Sequence, residues 1–208
     1  MEFNLLKSLR MEEKTMSEEN GKKERGLSDY GIIYVSGSIE DGTSESVCKE
    51  IIEYNISGKI DHIQMIINSS GGSCPAGFAM IDIMEWSRLP IFTTGIGMIA
   101  SMALLVFMTG TQGRRVITPR TSMLSHRYSA MTWGNHSQLL AGRKEQDLEH
   151  ERIIDHYLHY SKIASKDDLE KYLLRDVDTW LNPDEAVEFG LVDLVEPLKP
   201  QIGDERRG

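Results

Sequence analysis

From Ile91 to Gly110 the chain reads IFTTGIGMIASMALLVFMTG, apolar almost throughout but interrupted by Gly95, Gly97 and Ser101. The stretch is too short and too broken to span a bilayer, so a protein core must bury it. Its β-branched opening, Ile91 to Thr94, predicts a strand. The small residues that follow predict a tight glycine-rich turn, and the unbroken apolar run from Met102 predicts a buried helix. Ser101 then opens that helix, near the positive end of its dipole and beside N–H groups with no intrahelical partner. Two roles suit it there. Serine is a preferred helix cap, and a hydroxyl nucleophile beside free N–H donors is what acyl transfer needs, because its tetrahedral intermediate carries an oxyanion. Taken alone, the stretch favours the cap.

Upstream, Gly31–Val35 reads as a strand, and Thr43–Asn55 places Val47, Ile51 and Ile52 on one helical face. Ile60–Asn68 is apolar enough for a strand buried in a parallel sheet. It runs into Ser69-Ser70-Gly71-Gly72, after which Pro75 opens a helix from Ala76 to Trp86. Strand and helix alternate, so the fold class is α/β with right-handed crossovers. With 208 residues, 40% of them hydrophobic, the chain can bury one good core. The predicted domain covers residues 31–195. Residues 1–30 are mostly polar and charged, with Leu5, Leu6 and Leu9 as an apolar patch, which predicts a flexible arm or a removable leader. Residues 196–208 predict a loose tail.

Beyond Gly110 come two short strands, Arg115–Thr118 and Ser122–Ser125, with His126 at the end of the second. Arg127–Asn135 is irregular. Ser137–Ala164 reads as a long helix whose middle, Arg143 to Arg152, is almost wholly polar, so it should project from the domain or pack on another subunit. Ser165 with Asp168 forms one helix-start signal, Asn182-Pro183 with Glu185 another, and Gly190 a stop.

Lys and Arg total 23 against 32 Asp and Glu, a net charge of −9 without a basic run, which argues against nucleic-acid binding. Cys48 and Cys74 form no CxxC pair and no metal spacing, and the N-terminus has no secretory apolar region, so a cytoplasmic protein without a membrane span or metal is expected. A nucleophilic serine needs a base and a group to orient that base. Among six histidines, His126 at a strand end is the best placed. His62 reads as structural, His136 has no obvious partner, and His150, His156 and His159 read as a solvated helix face. A site from Asp155, His156 and His159 is weak, and Ile154 stands where the zinc-protease helix motif begun by His150 requires its second ligand. Asp176, Asp178 and Asp193 remain open as the orienting acid. Gly71-Gly72 lacks the phosphate-loop patterns, leaving a tight turn or a backbone N–H offered to an oxyanion. Cys74 reads as a structural thiol.

Taken in order, Ile67-Asn68-Ser69-Ser70-Gly71-Gly72, Ala100-Ser101-Met102, Met123-Leu124-Ser125-His126, Asp178-Thr179-Trp180-Leu181 and Asp184 to Asp193 resemble the proteolytic subunit of the Clp protease. The resemblance spans about Gly31 to Val195. It implies a crotonase-like fold of stacked parallel sheets with a projecting strand–helix handle at about residues 127–164. It also implies Ser101 as nucleophile, His126 as general base, Asp178 as orienting acid, and Gly72 and Met102 as oxyanion-hole donors. No cofactor on this chain is implied. Sevenfold rings stacked in pairs would enclose polypeptide substrates fed by a separate AAA+ ATPase that uses the ATP. The chain departs from the family pattern at Ser70, Ala103, Arg127-Tyr128 and Val177, and at Gln64 and Ile66, where aromatic residues usually shape the ATPase-docking pocket. A catalytically silent scaffold subunit and a crotonase-type acyl-CoA enzyme are the alternative readings.

Overall fold

Three parallel strands carry the centre of the domain: β1 (Ile32–Ile39), β2 (Ile63–Gly72) and β3 (Ile91–Ala100). On β2, Ile63, Met65 and Ile67 are fully buried, while Gln64, Ile66 and Asn68 between them are partly exposed. The computed structural model describes residues 26–196. Most of the expected arm (residues 1–25) and nearly all of the expected tail (residues 197–208) lie outside the described residues. Within the expected arm, Leu27–Tyr30 forms a 3₁₀ turn, whose Asp29 carboxylate accepts the Gly26 N–H. Described by itself, the chain from Gly31 onward forms one compact unit.

Helix α1 (Asp41–Ser57) follows β1, α2 (Cys74–Trp86) follows β2, and α3 (Met102–Met108) follows β3. All seven residues of α3 are buried. Downstream come β4 (Arg115–Ile117), β5 (Ser122–Ser125), α4 (His136–Tyr160), α5 (Lys166–Tyr172), β6 (Thr179–Leu181), α6 (Pro183–Glu188) and β7 (Leu194–Val195). The strands run in the order β1-β2-β3-β4-β7, and β5 then β6 branch from β3. Every pairing is parallel except β5 with β6.

The glycine-rich segment before Ser101 is not the turn expected from the sequence. It stays in β3 as a bulge, where the step from Ile67 to Ser69 on β2 faces the longer step from Gly95 to Ile99 on β3. Gly97 adopts φ +62°, and a Cβ there would lie 2.7 Å from Asn68 Oδ1, which instead accepts the Met98 N–H. A bulge bends and twists a strand. Here it lets β3 pair with β4 before the bend and with β5 after it, which produces the branch.

The long helix starts at a full capping box between Asn135 and Gln138 and ends at Tyr160. Its C-terminal half buries Ile153, Ile154 and Tyr157, whereas Leu139 and Leu140 near its start are exposed. The preceding segment, 127–135, contains no strand, and Met131 and Trp133 there are about four-fifths exposed (80% and 81%). His156 is a correction to the solvated face expected for it. It is 7% exposed, and its Nε2 donates to Leu105 O at 3.0 Å while its ring lies against Tyr160. The residues at 153, 156, 157 and 160 share one helical stripe, which the surrounding charges obscure in the sequence.

Burial lowers the His156 pKa to about 4. The unfolded chain therefore binds a proton that the folded chain refuses, so stability is full above about pH 6.5 and falls as pH drops toward 4. The loss should approach ~3 kcal/mol at the acid end, read as a falling urea midpoint across that window. In His156→Gln the slope between pH 6.5 and 4 should flatten.

One ion pair closes the far side of the sheet. The Arg115 side chain is 5% exposed, and its Nε and Nη2 donate to Asp193 at 3.0 and 2.7 Å. Its Nη1 donates to Tyr160 O at 2.7 Å, and Asp193 also accepts the N–H groups of Gly113 and Arg115. Among the described residues no helix is long and apolar enough to cross a membrane, and no cluster of His, Cys, Asp and Glu could hold a metal ion.

Candidate active site

The carboxyl ends of β2, β3 and β5 finish at one level, the edge where α/β sheets commonly bind ligands. Ser69 pairs with Ile99 and Ala100 with Leu124, and the Ser101 N–H then donates to Leu124 O at 2.9 Å. Continuing those registers brings Gly71, Ser101 and His126 to the same edge. His126 Nε2 lies 2.7 Å from Ser101 Oγ.

Ser101 occupies the capping position of α3 but makes no side-chain cap bond; its hydroxyl goes to His126 instead. Its backbone sits at φ 56°, ψ −128°, and among the described residues it is the one non-glycine with positive φ. Such a conformation costs on the order of 1–3 kcal/mol and persists only where packing over-determines it. The packing here is close. Gly71 adopts φ +89°, and a Cβ on it would lie 2.6 Å from Ala100 O and 2.8 Å from Ser101 Cβ. A strained strand-to-helix turn that exposes a serine hydroxyl is a recurrent nucleophile geometry. The sequence held a signal for it, the small residues packed on both sides of Ser101, but the same residues read equally well as a turn.

The three candidate acids separate in space. Asp193 is committed to Arg115. Asp176 lies 3.4 Å from Arg127 Nη1, and Arg127 Nε also donates to Leu174 O at 2.7 Å, tethering the loop before β6. Asp178 immediately precedes β6, whose Thr179 pairs with Ser125. The ladder ends at that pair; extended by one step, its register would set Asp178 opposite His126. Directly opposed residues bring their Cβ atoms to about 4.5–5.5 Å. The Asp178 side chain is exposed and makes no hydrogen bond or ion pair among the described residues. The structure therefore brings Ser101 and His126 into contact and leaves Asp178 without a bond to the base.

A cavity of about 80 Å³ adjoins the pair, lined by Gly72, Cys74, Ser101, Met102, Leu105, His126, Arg127, Tyr128, Ser129, Ile153 and Tyr157. Gly72 and Met102 thus border the same space as the serine hydroxyl. The Ser73 N–H turns to Ile39 O on β1, and strand alternation turns the Gly72 N–H the other way. Burial, and then the charge of Glu149, push the Cys74 thiol up to about 11, so it is protonated at neutral pH and a poor nucleophile. A larger hollow of about 1060 Å³ lies between α2 and α4, but neither Ser101 nor His126 borders it. The small cavity is the one attached to reactive groups. Of the lining residues, Tyr128 stands out in the sequence as a departure from the family pattern, whereas Ser129 and Ile153 do not, because 127–135 has no periodicity and Ile153 reads as part of the apolar core face of α4.

Comparison with known proteins points to one family. The Clp protease family model matches residues 16–197. The "ATP-dependent Clp protease proteolytic subunit" of Deinococcus radiodurans is 30% identical over 186 residues, covering 86% of this chain and 89% of that protein. With the match running over most of the chain, and the α/β fold agreeing with it, the protein belongs to the Clp protease family.

Proposed function

We propose that this chain is a serine endopeptidase subunit that cleaves unfolded polypeptides through an acyl-enzyme, within an oligomeric chamber fed by a separate ATPase. The observation that carries the reading is the 2.7 Å contact between His126 Nε2 and Ser101 Oγ on a strained strand-to-helix turn. As general base, Nε2 accepts the Ser101 proton, so Nδ1 carries the ring's other hydrogen. Ser101 Oγ attacks the scissile carbonyl, and the N–H groups of Gly72 and Met102 donate to the oxyanion. His126 returns the proton to the leaving amine, and a water activated by the same imidazole releases the acyl fragment. Asp178 takes the orienting role by turning its carboxylate onto Nδ1–H, a role supported by the β5–β6 register, which ends at the neighbouring pair Ser125 and Thr179.

Assembly has support just before and at the start of α4, where Met131, Trp133 and Leu140 are exposed and a second copy would cover them. The relative's name carries ATP dependence. This chain has no GK[ST] phosphate loop, so ATP would be used by a separate AAA+ partner, and no cofactor is proposed on the chain itself. The two free cysteines suit a cytoplasmic site of action. The unbonded Asp178 also favours a second reading, a subunit held silent until a partner reorders the loop before β6.

The test sets a fluorogenic peptide amide against an acyl-CoA thioester, with light scattering to size the particle. Peptide turnover by a particle of many subunits, abolished in Ser101→Ala, is the expected result. Thioester turnover that survives Ser101→Ala would overturn the peptidase reading in favour of a crotonase-type enzyme.

A further inference from the structure

The two hollows share a wall. Pro75, Arg152 and His156 line the large one, while their chain neighbours Cys74, Ile153 and Tyr157 line the cavity beside Ser101. The start of α2 and one face of α4 therefore form a partition. Tyr128 lines the catalytic side of it, and Glu149, one helical turn before Ile153, lines the other side at 4% exposure. Burial, and then the neighbouring Glu149 carboxylate, push the Tyr128 phenol up to about 12, so it stays neutral beside that carboxylate.

Resting on the peptidase reading above, we propose that Tyr128 determines substrate specificity by closing the pocket for the residue on the acyl side of the cut bond, which limits that residue to small apolar side chains. The pocket's about 80 Å³ is the room of roughly three non-hydrogen atoms, since one water occupies ~30 Å³ in the liquid. Alanine and valine fit; phenylalanine and lysine do not. Leu105, Ile153 and the Tyr157 ring supply apolar wall, beside the polar Arg127 and Ser129. Behind Tyr128 the environment changes sign, because Asp82, Glu85, Glu145 and Asp155 line the large hollow with Glu149, against Arg152. Removing the phenol joins the two spaces, lengthening the pocket and ending it at a buried carboxylate.

The experiment measures kcat/KM for fluorogenic peptides that differ only in the residue before the cut: Ala, Val, Leu, Phe or Lys. Wild type should favour Ala and Val over Phe and Lys by at least about tenfold, the scale at which a pocket discriminates by a methylene or more. Tyr128→Ala should raise Phe and Lys by about tenfold relative to Ala. Tyr128→Ala with Glu149→Gln should keep the gain for Phe and lose it for Lys, and Tyr128→Phe should retain the wild-type size limit. A wild type that cleaves after Phe or Lys as well as after Ala overturns the proposal even if no variant folds. So does an active Tyr128→Ala enzyme with an unchanged ranking. Those two results leave the peptidase reading standing, whereas a wild type that turns over none of the peptides sinks both.

Discussion

Ser101→Ala and His126→Ala are each expected to lower peptide hydrolysis on the order of 10⁵–10⁶-fold, with the double variant no worse than either single one. The non-additivity follows from the geometry. The hydroxyl is nucleophilic only while the imidazole 2.7 Å away can take its proton, and the imidazole has no task in acylation without the hydroxyl. Residual turnover would come from the N–H groups of Gly72 and Met102 and from binding. Asp178→Asn should cost about 10⁴ in kcat through the wrong imidazole tautomer, provided the carboxylate swings onto His126 when substrate binds. An unchanged rate in Asp178→Asn would remove Asp178 from the mechanism and leave the serine–histidine pair intact. Circular dichroism on each variant separates lost chemistry from lost fold.

The largest effect on stability is expected at Asp193→Ala, about 3–5 kcal/mol, because the substitution leaves the Arg115 guanidinium buried without its counter-ion. For a domain of this size that is a fall in Tm of roughly 6–20 °C. The arrangement joins four parts of the chain: β4, the turn at Gly113, the end of α4 at Tyr160 and the approach to β7. Burial alone would raise the Asp193 carboxyl, but the hydrogen bonds and charge of Arg115 outweigh it and hold the pKa below the usual carboxylate value. Its contribution is therefore present above the ordinary carboxylate range and lost only as pH falls below it, at the acid side of the His156 window. Replacing both partners with leucine should cost less than Asp193→Ala, since the pair's desolvation penalty disappears with it. A double variant as unstable as the single would show that the hydrogen bonds to backbone, and not the buried charge, dominate.

Local signals in the sequence marked their elements well. Asn182 and Glu185 close a capping box in space as they do in the chain, β5 ends at Ser125 so that His126 follows it, and the apolar run after Ser101 is a buried helix. What depended on distant partners was not legible. Gly95 and Gly97 read as a turn, because the bulge exists only by virtue of Asn68 and the register of β2. His156 read as solvated, because the carbonyl that buries it belongs to Leu105 on another helix. Asp176, Asp178 and Asp193 were equivalent by pattern. They separate only through Arg127, the β5–β6 ladder and Arg115 respectively. Ser101 itself carried two readings, cap or nucleophile, until its hydroxyl was seen to bond His126 in place of an α3 amide.

The most direct measurement is covalent: treat the wild-type particle with a fluorophosphonate and map the adduct by mass spectrometry of its proteolytic fragments. The account predicts one modified residue, Ser101, with labelling lost in Ser101→Ala and reduced to background in His126→Ala. An adduct on a different serine, or labelling of Ser101 undiminished when His126 is removed, would contradict it.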